Sequence, residues 1–287
     1  MDFNDISIWF GNLPRPVEAA AEAARKRDAQ LTKPGGSLGR LEELAVWCAA
    51  WQGRHPPRLD EIAILVFAGN HGITARGVSA FPPEVTVQMV ANFAAGGAAI
   101  NQLARTFGAT LDAIDLDLDR PTRDFTVDAA MDEKECAAAF TAGFDAVREG
   151  LDLLIVGEMG IGNTTTAAAL ACALFGGDAS DWTGPGTGVD RAGIAKKSAT
   201  VAEAMAFHGK ALSDPVEALR RVGGREIAAI AGAILSARHK RIPVILDGFV
   251  TCAAAAVLEK GAPGALDHCV AGHLSAEPGH RRLLERL

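Results

Sequence analysis

Three glycines in Gly157-Glu158-Met159-Gly160-Ile161-Gly162 run directly into the polar segment Asn163-Thr164-Thr165-Thr166. The free N–H groups and positive dipole end of a helix opening there suit a phosphate. The spacing nearly matches a nucleoside-triphosphate loop, but Asn163 stands where that motif needs Lys. One monoester phosphate is therefore a better guest than a triphosphate. The alternative is a tight strand-to-helix turn with hydroxyl caps. Glu158 is the odd member, because a carboxylate beside a phosphate is costly unless it meets a ribose hydroxyl or a reacting nitrogen. Gly184-Pro185-Gly186-Thr187-Gly188 is a second glycine-rich loop, followed by Lys196-Lys197, which can add positive charge or simply lie on a helix surface.

Other polar clusters punctuate the chain. Gly69-Asn70-His71-Gly72 offers close backbone approach, with His71 able to donate to a ligand, exchange a proton, or only bond its own turn. Asp247-Gly248 suits a sugar hydroxyl or a cap on the next helix. Gly272-His273-Leu274-Ser275-Ala276-Glu277-Pro278-Gly279-His280 reads as a further ligand loop. His273, Glu277 and His280 superficially resemble a metal set, but Pro278 interrupts the helix such ligation requires, so no metal is expected. Asp115, Asp117 and Asp119 alternate; a strand end running into solvent is the plainer reading. Phe81 and Met89 flank a Pro-Pro helix start and suggest either a flat apolar slot for an aromatic ring or ordinary core packing.

What positions these groups is legible in the apolar runs. Ile62–Ala68 is continuously apolar and ends at Gly69, the pattern of a strand buried on both faces of a parallel sheet. Similar runs occupy 111–116, 151–156 and 242–246. Helical patterns separate them at 83–93, 97–107, 132–148, 164–174, 191–207 and 225–239. Alternation of this kind predicts right-handed crossovers and an open, doubly wound α/β sheet with helices on both faces. Ligands of such sheets sit beyond the carboxyl ends of the strands, where the polar clusters fall. Residues 17–30 and a stripe from Leu38 to Trp51, with Ser37 as expected N-cap, predict a helical N-terminal section closed by Pro56-Pro57.

Composition narrows the function. A 49% hydrophobic, 22% charged balance is that of a globular chain. Net charge of −7 argues against a general nucleic-acid binder. No apolar run reaches the roughly 18 residues of a membrane span, and the N-terminus is not a signal peptide. Five scattered cysteines without a CxxC pair argue against a disulfide framework and fit a cytoplasmic protein.

Taken together, these segments resemble the nicotinate-nucleotide–dimethylbenzimidazole phosphoribosyltransferase family, which builds the lower-ligand nucleotide of cobalamin. The resemblance rests on Lys33-Pro34-Gly35-Gly36-Ser37-Leu38-Gly39-Arg40-Leu41, Gly69-Asn70-His71-Gly72, Gly96-Gly97-Ala98-Ala99-Ile100-Asn101, Gly157 to Thr165, Leu246-Asp247-Gly248-Phe249 and His273-Leu274-Ser275-Ala276-Glu277, in family order. It implies a Rossmann-like domain at 58–287, a small helical domain to which 1–57 contributes and the chain end can return, and a homodimer. It implies small-molecule substrates, nicotinate mononucleotide and dimethylbenzimidazole, with no cofactor. A base nitrogen attacks the anomeric carbon, nicotinate leaves, and α-ribazole phosphate forms with inversion. Glu158, Met159 and Gly160 are expected to contact the nucleotide, with Gly162, Asn163 and Thr164 completing the phosphate turn. Lys197 is expected to reach the phosphate, and Asp247 and Ser275 to shape the site. His71, Phe81 and Met89 fall at the base pocket. The family pattern continues past the last loop into a Gly-Glu-Gly-Ser-Gly-type segment carrying the catalytic glutamate, whereas this sequence stops at Leu287. The expectation is a tail beyond Leu287; without it Glu158 is the remaining candidate base. The rivals are a non-catalytic azole- or nucleotide-binding paralogue, and a dinucleotide oxidoreductase, which the missing GxGxxG after the first strand already disfavours.

Overall fold

The computed structural model describes residues 1–287. After a 3-10 turn at Phe3–Phe10 the order is α1 (Glu18–Asp28), α2 (Arg40–Gln52), β1 (Ile62–Ala68), α3 (Glu84–Ala94), α4 (Ala99–Phe107), β2 (Thr110–Asp115), α5 (Glu133–Ala146) and β3 (Leu153–Met159). Then follow α6 (Asn163–Phe175), α7 (Ala179–Trp182), α8 (Arg191–His208), α9 (Pro215–Val222), α10 (Arg225–His239), β4 (Val244–Leu246), α11 (Phe249–Gly261), β5 (Cys269–Ala271) and α12 (Pro278–Leu284). No helix is long and apolar enough to cross a membrane.

The five strands form one parallel sheet in the order β2-β1-β3-β4-β5. β1 is apolar throughout because both its faces are covered. Ala63, Leu65 and Phe67 join the main core, while Ile64 and Val66 pack with Ala104 of α4 on the opposite face. The strand order reverses direction between β1 and β3, so the crevice for a ligand opens there, beyond Ala68 and Met159.

Several local expectations change. β3 runs on to Met159 because Val66, Phe67 and Ala68 of β1 pair with Gly157, Glu158 and Met159, so these residues end a strand rather than open a loop. A fifth strand, only three residues long, was hidden by its brevity. Ser37 does not cap α2. Gly36 and Gly39 take positive φ of 74° and 56°, which delays the helix, and Glu42 accepts the Leu38 N–H at 3.1 Å from within it. The side chains of Asp115 and Asp117 turn to the Leu118 N–H and to Arg120.

The N-terminal helices dock on the β5 side. The Trp47 and Trp51 indoles both donate to the Asp267 carbonyl, at 3.3 and 3.0 Å, and the Arg238 guanidinium lies 4.3 Å from the Trp51 ring centre. The first ten residues go elsewhere: Ile6 is fully buried in the main core. An apolar cavity of about 550 Å³ lies between α2 and the sheet, lined by Leu41, Leu44, Ile245 and Val270. Its only ionisable lining groups are Arg40 and Cys48, so it lacks the acid–base pair a reaction needs.

Behind the sheet α5 and α10 cross at bare backbone. A Cβ on Gly143 would collide with the Ala229 carbonyl, and one on Gly232 with the Phe140 carbonyl. Gly232→Ala is therefore expected to cost about 3 kcal/mol, seen as an earlier urea midpoint with an unchanged m-value. A loss below about 0.5 kcal/mol would mean that the helices part freely.

Candidate active site

Two ionisable ends, one basic and one acidic, are built on one short stretch of chain. Gly162 takes φ 94° and turns the backbone from β3 into α6. The Asn163, Thr165 and Thr166 amides return to the carbonyls of Gly160 and Gly162, leaving the Thr164 N–H without a carbonyl partner. Thr86, fully buried on α3, accepts the Ile161 N–H at 3.2 Å and pins the turn against that helix. Lys197 arrives from α8. Its ammonium donates to Thr164 Oγ1 at 2.9 Å and to the Gly184 carbonyl at 3.1 Å, and the residue is 2% exposed. Burial lowers the proton affinity of this ammonium, partly offset by Glu277. A phosphate would supply the missing counter-charge.

The Gly184–Gly188 loop closes over this cradle. Glu277 Oε1 accepts the Gly186 N–H at 2.6 Å, while Oε2 is buried without a partner. The space left among Ser79, Gly160–Thr164, Pro185 and Lys197 is about 20 Å³.

The acidic end is Glu158. Its carboxylate is bonded by the Asn163 amide, one residue before Thr164. Burial, then the nearby Glu226 and Asp247 carboxylates, raise its pKa from 4.5 to about 8, against the opposing Asn163 bond. Such a group is protonated in the resting site near neutral pH and is a strong base once ionised.

The remaining predicted residues are placed as follows. Asp247 is exposed at the end of β4, 3.9 Å from His273 Nδ1. Ser275 is engaged with His280: its N–H and Oγ lie 3.0 and 2.9 Å from Nδ1. The His273 and His280 rings meet edge to face with centroids 5.9 Å apart, while the Glu277 carboxylate turns to Gly186. Phe81 is half exposed before α3, and Met89 is half-buried further along that helix. Met159 is half-buried and packs against the Ile64, Val66 and Ala104 cluster on the α3–α4 side of the sheet. His71 is 1% exposed. Its Nε2 lies 2.7 Å from Glu226 Oε1 and its Nδ1 3.2 Å from Thr166 Oγ1. The imidazole thus sits behind the turn.

Sequence reasoning missed Glu226. Read alone, a Glu in the first turn of a helix is a surface cap. The available signal was its setting: Gly223-Gly224 precedes it, and Ile227 to Leu235 is apolar on every side, the mark of a fully buried helix. Glu226 is fully buried.

A phosphoribosyltransferase family model, DBI_PRT, matches residues 13–287. The chain belongs to this phosphoribosyltransferase family. It is 62% identical over 278 residues to the nicotinate-nucleotide–dimethylbenzimidazole phosphoribosyltransferase of Cereibacter sphaeroides, covering 97% of this chain and 82% of that protein. It is 56% identical over 287 residues to the Rhizobium etli protein of the same name, covering 100% of this chain and 85% of that one. Among solved structures, CobT from Thermus thermophilus superposes with a TM-score of 0.87 at 43% identity, over 93% of this chain and 86% of that one. The chain is thus an α/β enzyme of the phosphoribosyl-transferring class.

Proposed function

We propose that the enzyme transfers the phosphoribosyl group of nicotinate mononucleotide to dimethylbenzimidazole or a related aromatic base, giving α-ribazole phosphate and nicotinate for the nucleotide loop of cobalamin. The names of the relatives above support the substrates. The observation that carries the reading is the two-ended turn: Asn163 holds the Glu158 carboxylate while its neighbour Thr164 holds the Lys197 ammonium. Nicotinate mononucleotide has the matching polarity, an anionic phosphate at one end and a cationic pyridinium nitrogen on the sugar carbon at the other.

In this reading the phosphate seats among Gly160, Gly162, Asn163, Thr164 and Lys197, with Ser275 beside the loop that closes over it. Met159 and Asp247 flank the sugar. Phe81 and Met89 line the slot for the flat base and hold its nitrogen in line with the sugar carbon. The azole lone pair forms the new C–N bond as the old one breaks, its electron pair passing to the pyridine ring of nicotinate. Positive charge develops on the sugar carbon facing Glu158 and Asp247, which stabilise it. The proton on the second azole nitrogen then goes to the catalytic glutamate expected beyond Leu287, or to Glu158 where that segment is lacking.

The chain is proposed to work as a homodimer, a reading supported by the exposed apolar Val87, Leu103 and Phe107 of α3 and α4. It is proposed to work in the cytoplasm, which five free cysteines support. The α1–α2 pair within residues 1–57 is proposed as its contribution to a small helical domain.

Incubation with nicotinate mononucleotide and dimethylbenzimidazole should yield nicotinate and the ribosylated base in equal amounts. Binding of both without any product would instead identify a non-catalytic paralogue. Phe81→Ala should change the ratio of kcat/KM between dimethylbenzimidazole and unsubstituted benzimidazole by about 10-fold, the worth of about 1.4 kcal/mol of lost apolar contact. The KM for the nucleotide should stay within about 2-fold, because the slot holds only the base. Equal effects on both substrates would make Phe81 a packing residue.

A further inference from the structure

The Gly184–Gly188 loop is gripped from two sides, by one base and one acid. Lys197 of α8 donates to the Gly184 carbonyl at 3.1 Å, and a Cβ on Gly186 would stand 2.9 Å from its Nζ. Glu277, the residue before α12, accepts the Gly186 N–H at 2.6 Å, and a Cβ on Gly184 would strike its Oε2. The ammonium and the carboxylate thus meet the same two glycines, with loop backbone between them.

The reaction above gives Glu277 no task, and packing does not need it. Its Oε2 is buried without a partner, which is unfavourable for a carboxylate. The residue is nevertheless held firmly. Ser275 Oγ accepts the Glu277 N–H at 3.3 Å and lies 2.9 Å from His280 Nδ1, and Pro278 follows in the first turn of α12.

The other ionisable groups around the loop are engaged elsewhere or exposed. Asp190 caps α8 through the Gly193 N–H at 2.8 Å, and Arg282 of α12 pairs with Asp181 at 2.8 Å. Lys196 is exposed beside Gly77, and His273 lies near Asp247 and His280. Glu277 is the acid that acts on the buried Lys197.

A glycine-loop amide and a buried ammonium are groups that bind phosphate. Here a carboxylate of the chain engages the first and lies across the loop from the second. Resting on the phosphate reading given above, we propose that Glu277 is a positioning residue that stands in for the phosphate, holding the Gly184–Gly188 loop and balancing Lys197 until a phosphate monoester takes both over. The carboxylate weakens the hold on phosphate in two ways. It stabilises the enzyme without ligand, and it repels the dianion once bound. The ribosylated product keeps the phosphate of the substrate, so the same repulsion speeds product release.

The test compares ligands with and without the phosphate, by calorimetric titration of wild type and Glu277→Gln. Gln accepts the Gly186 N–H through its own carbonyl and removes only the charge. Nicotinate mononucleotide should bind the variant about 5- to 10-fold tighter. Nicotinate riboside, which lacks the phosphate, should change by less than about 2-fold. Inhibition by the ribosylated-base phosphate should strengthen by the same factor as mononucleotide binding. A folded Glu277→Gln that binds the mononucleotide as wild type does, or more weakly, overturns the proposal. An equal gain for the riboside also overturns it, because a merely loosened loop would give that. If the Gln variant does not fold, Glu277→Ala is held to the same comparison, and a folded Ala variant without a phosphate-dependent gain overturns the proposal. A wild type that binds the mononucleotide no better than the riboside removes the phosphate from this cradle, and with it both the reading and the inference. A wild type that favours the mononucleotide, beside a Glu277→Gln that gains nothing, defeats the inference alone.

Discussion

Glu158→Gln is expected to lower kcat by about 100-fold or more, the range removed with a group that stabilises developing charge, while leaving the fold intact or firmer. Gln keeps the hydrogen bond with Asn163 through its own carbonyl but cannot ionise or take a proton. The stability effect has a definite sign. Glu158 binds its proton more tightly in the folded protein than in the unfolded chain, because burial and the neighbouring carboxylates raise its pKa from 4.5 to about 8. Its contribution is fully present below the unfolded pKa and is lost as pH rises through the folded one, by at most about 1.4 kcal/mol per pH unit. Glu158→Gln removes that loss. Thermal melts should show the variant gaining on wild type between pH 5 and pH 8, with the gap constant above about 9. A variant that melts earlier at every pH, yet keeps full specific activity in its folded fraction, would make Glu158 a packing residue.

Lys197→Met should separate binding from stability in the same way at the other end. The ammonium is buried beside the Gly184–Gly188 loop and is held by two neutral oxygens, Thr164 Oγ1 and the Gly184 carbonyl. Losing a charge-assisted bond to a bound phosphate costs about 2 to 3 kcal/mol, so the KM for nicotinate mononucleotide should rise about 30- to 150-fold. The effect on kcat should be small, because the phosphate is held equally in ground and transition states. The melting temperature should hold or rise, since Met fills the same stem without a desolvated charge. An unchanged KM would remove the phosphate from this turn. Loss of kcat at saturating nucleotide would place Lys197 nearer the reacting carbon than the cradle allows.

The sequence was most informative where one physical signal dominates. β1 was legible because seven apolar residues in a row fit a strand covered on both faces. The long helices were legible as the stretches between the apolar runs, and the tight strand-to-helix turn at Gly162 from glycine followed by hydroxyls. Elements held by tertiary contacts were not. β5 is three residues long and is fixed by pairing with β4, and Gly157–Met159 extend β3 because β1 lies alongside. The α9 start, with Asp214 accepting the Val216 and Glu217 amides, carries a strong local signal that the apolar-run reading passed over. At the site, Glu158, Asn163, Thr164 and Lys197 do converge. His71 was visible as a residue able to exchange protons, but its place behind the turn depends on Glu226, some 155 positions later in the chain. No local pattern reports a pairing of that range.

In the proposed reaction a mononucleotide lies across this turn with its phosphate on the Lys197 side and its sugar carbon on the Glu158 side. A crystal structure with nicotinate mononucleotide bound tests this most directly. The phosphate is expected within hydrogen-bond reach of Lys197 Nζ and the Thr164 N–H, with the Gly184–Gly188 loop displaced and the anomeric carbon facing Glu158. A nucleotide bound elsewhere, or in the reverse direction with its phosphate beside Glu158, would contradict it.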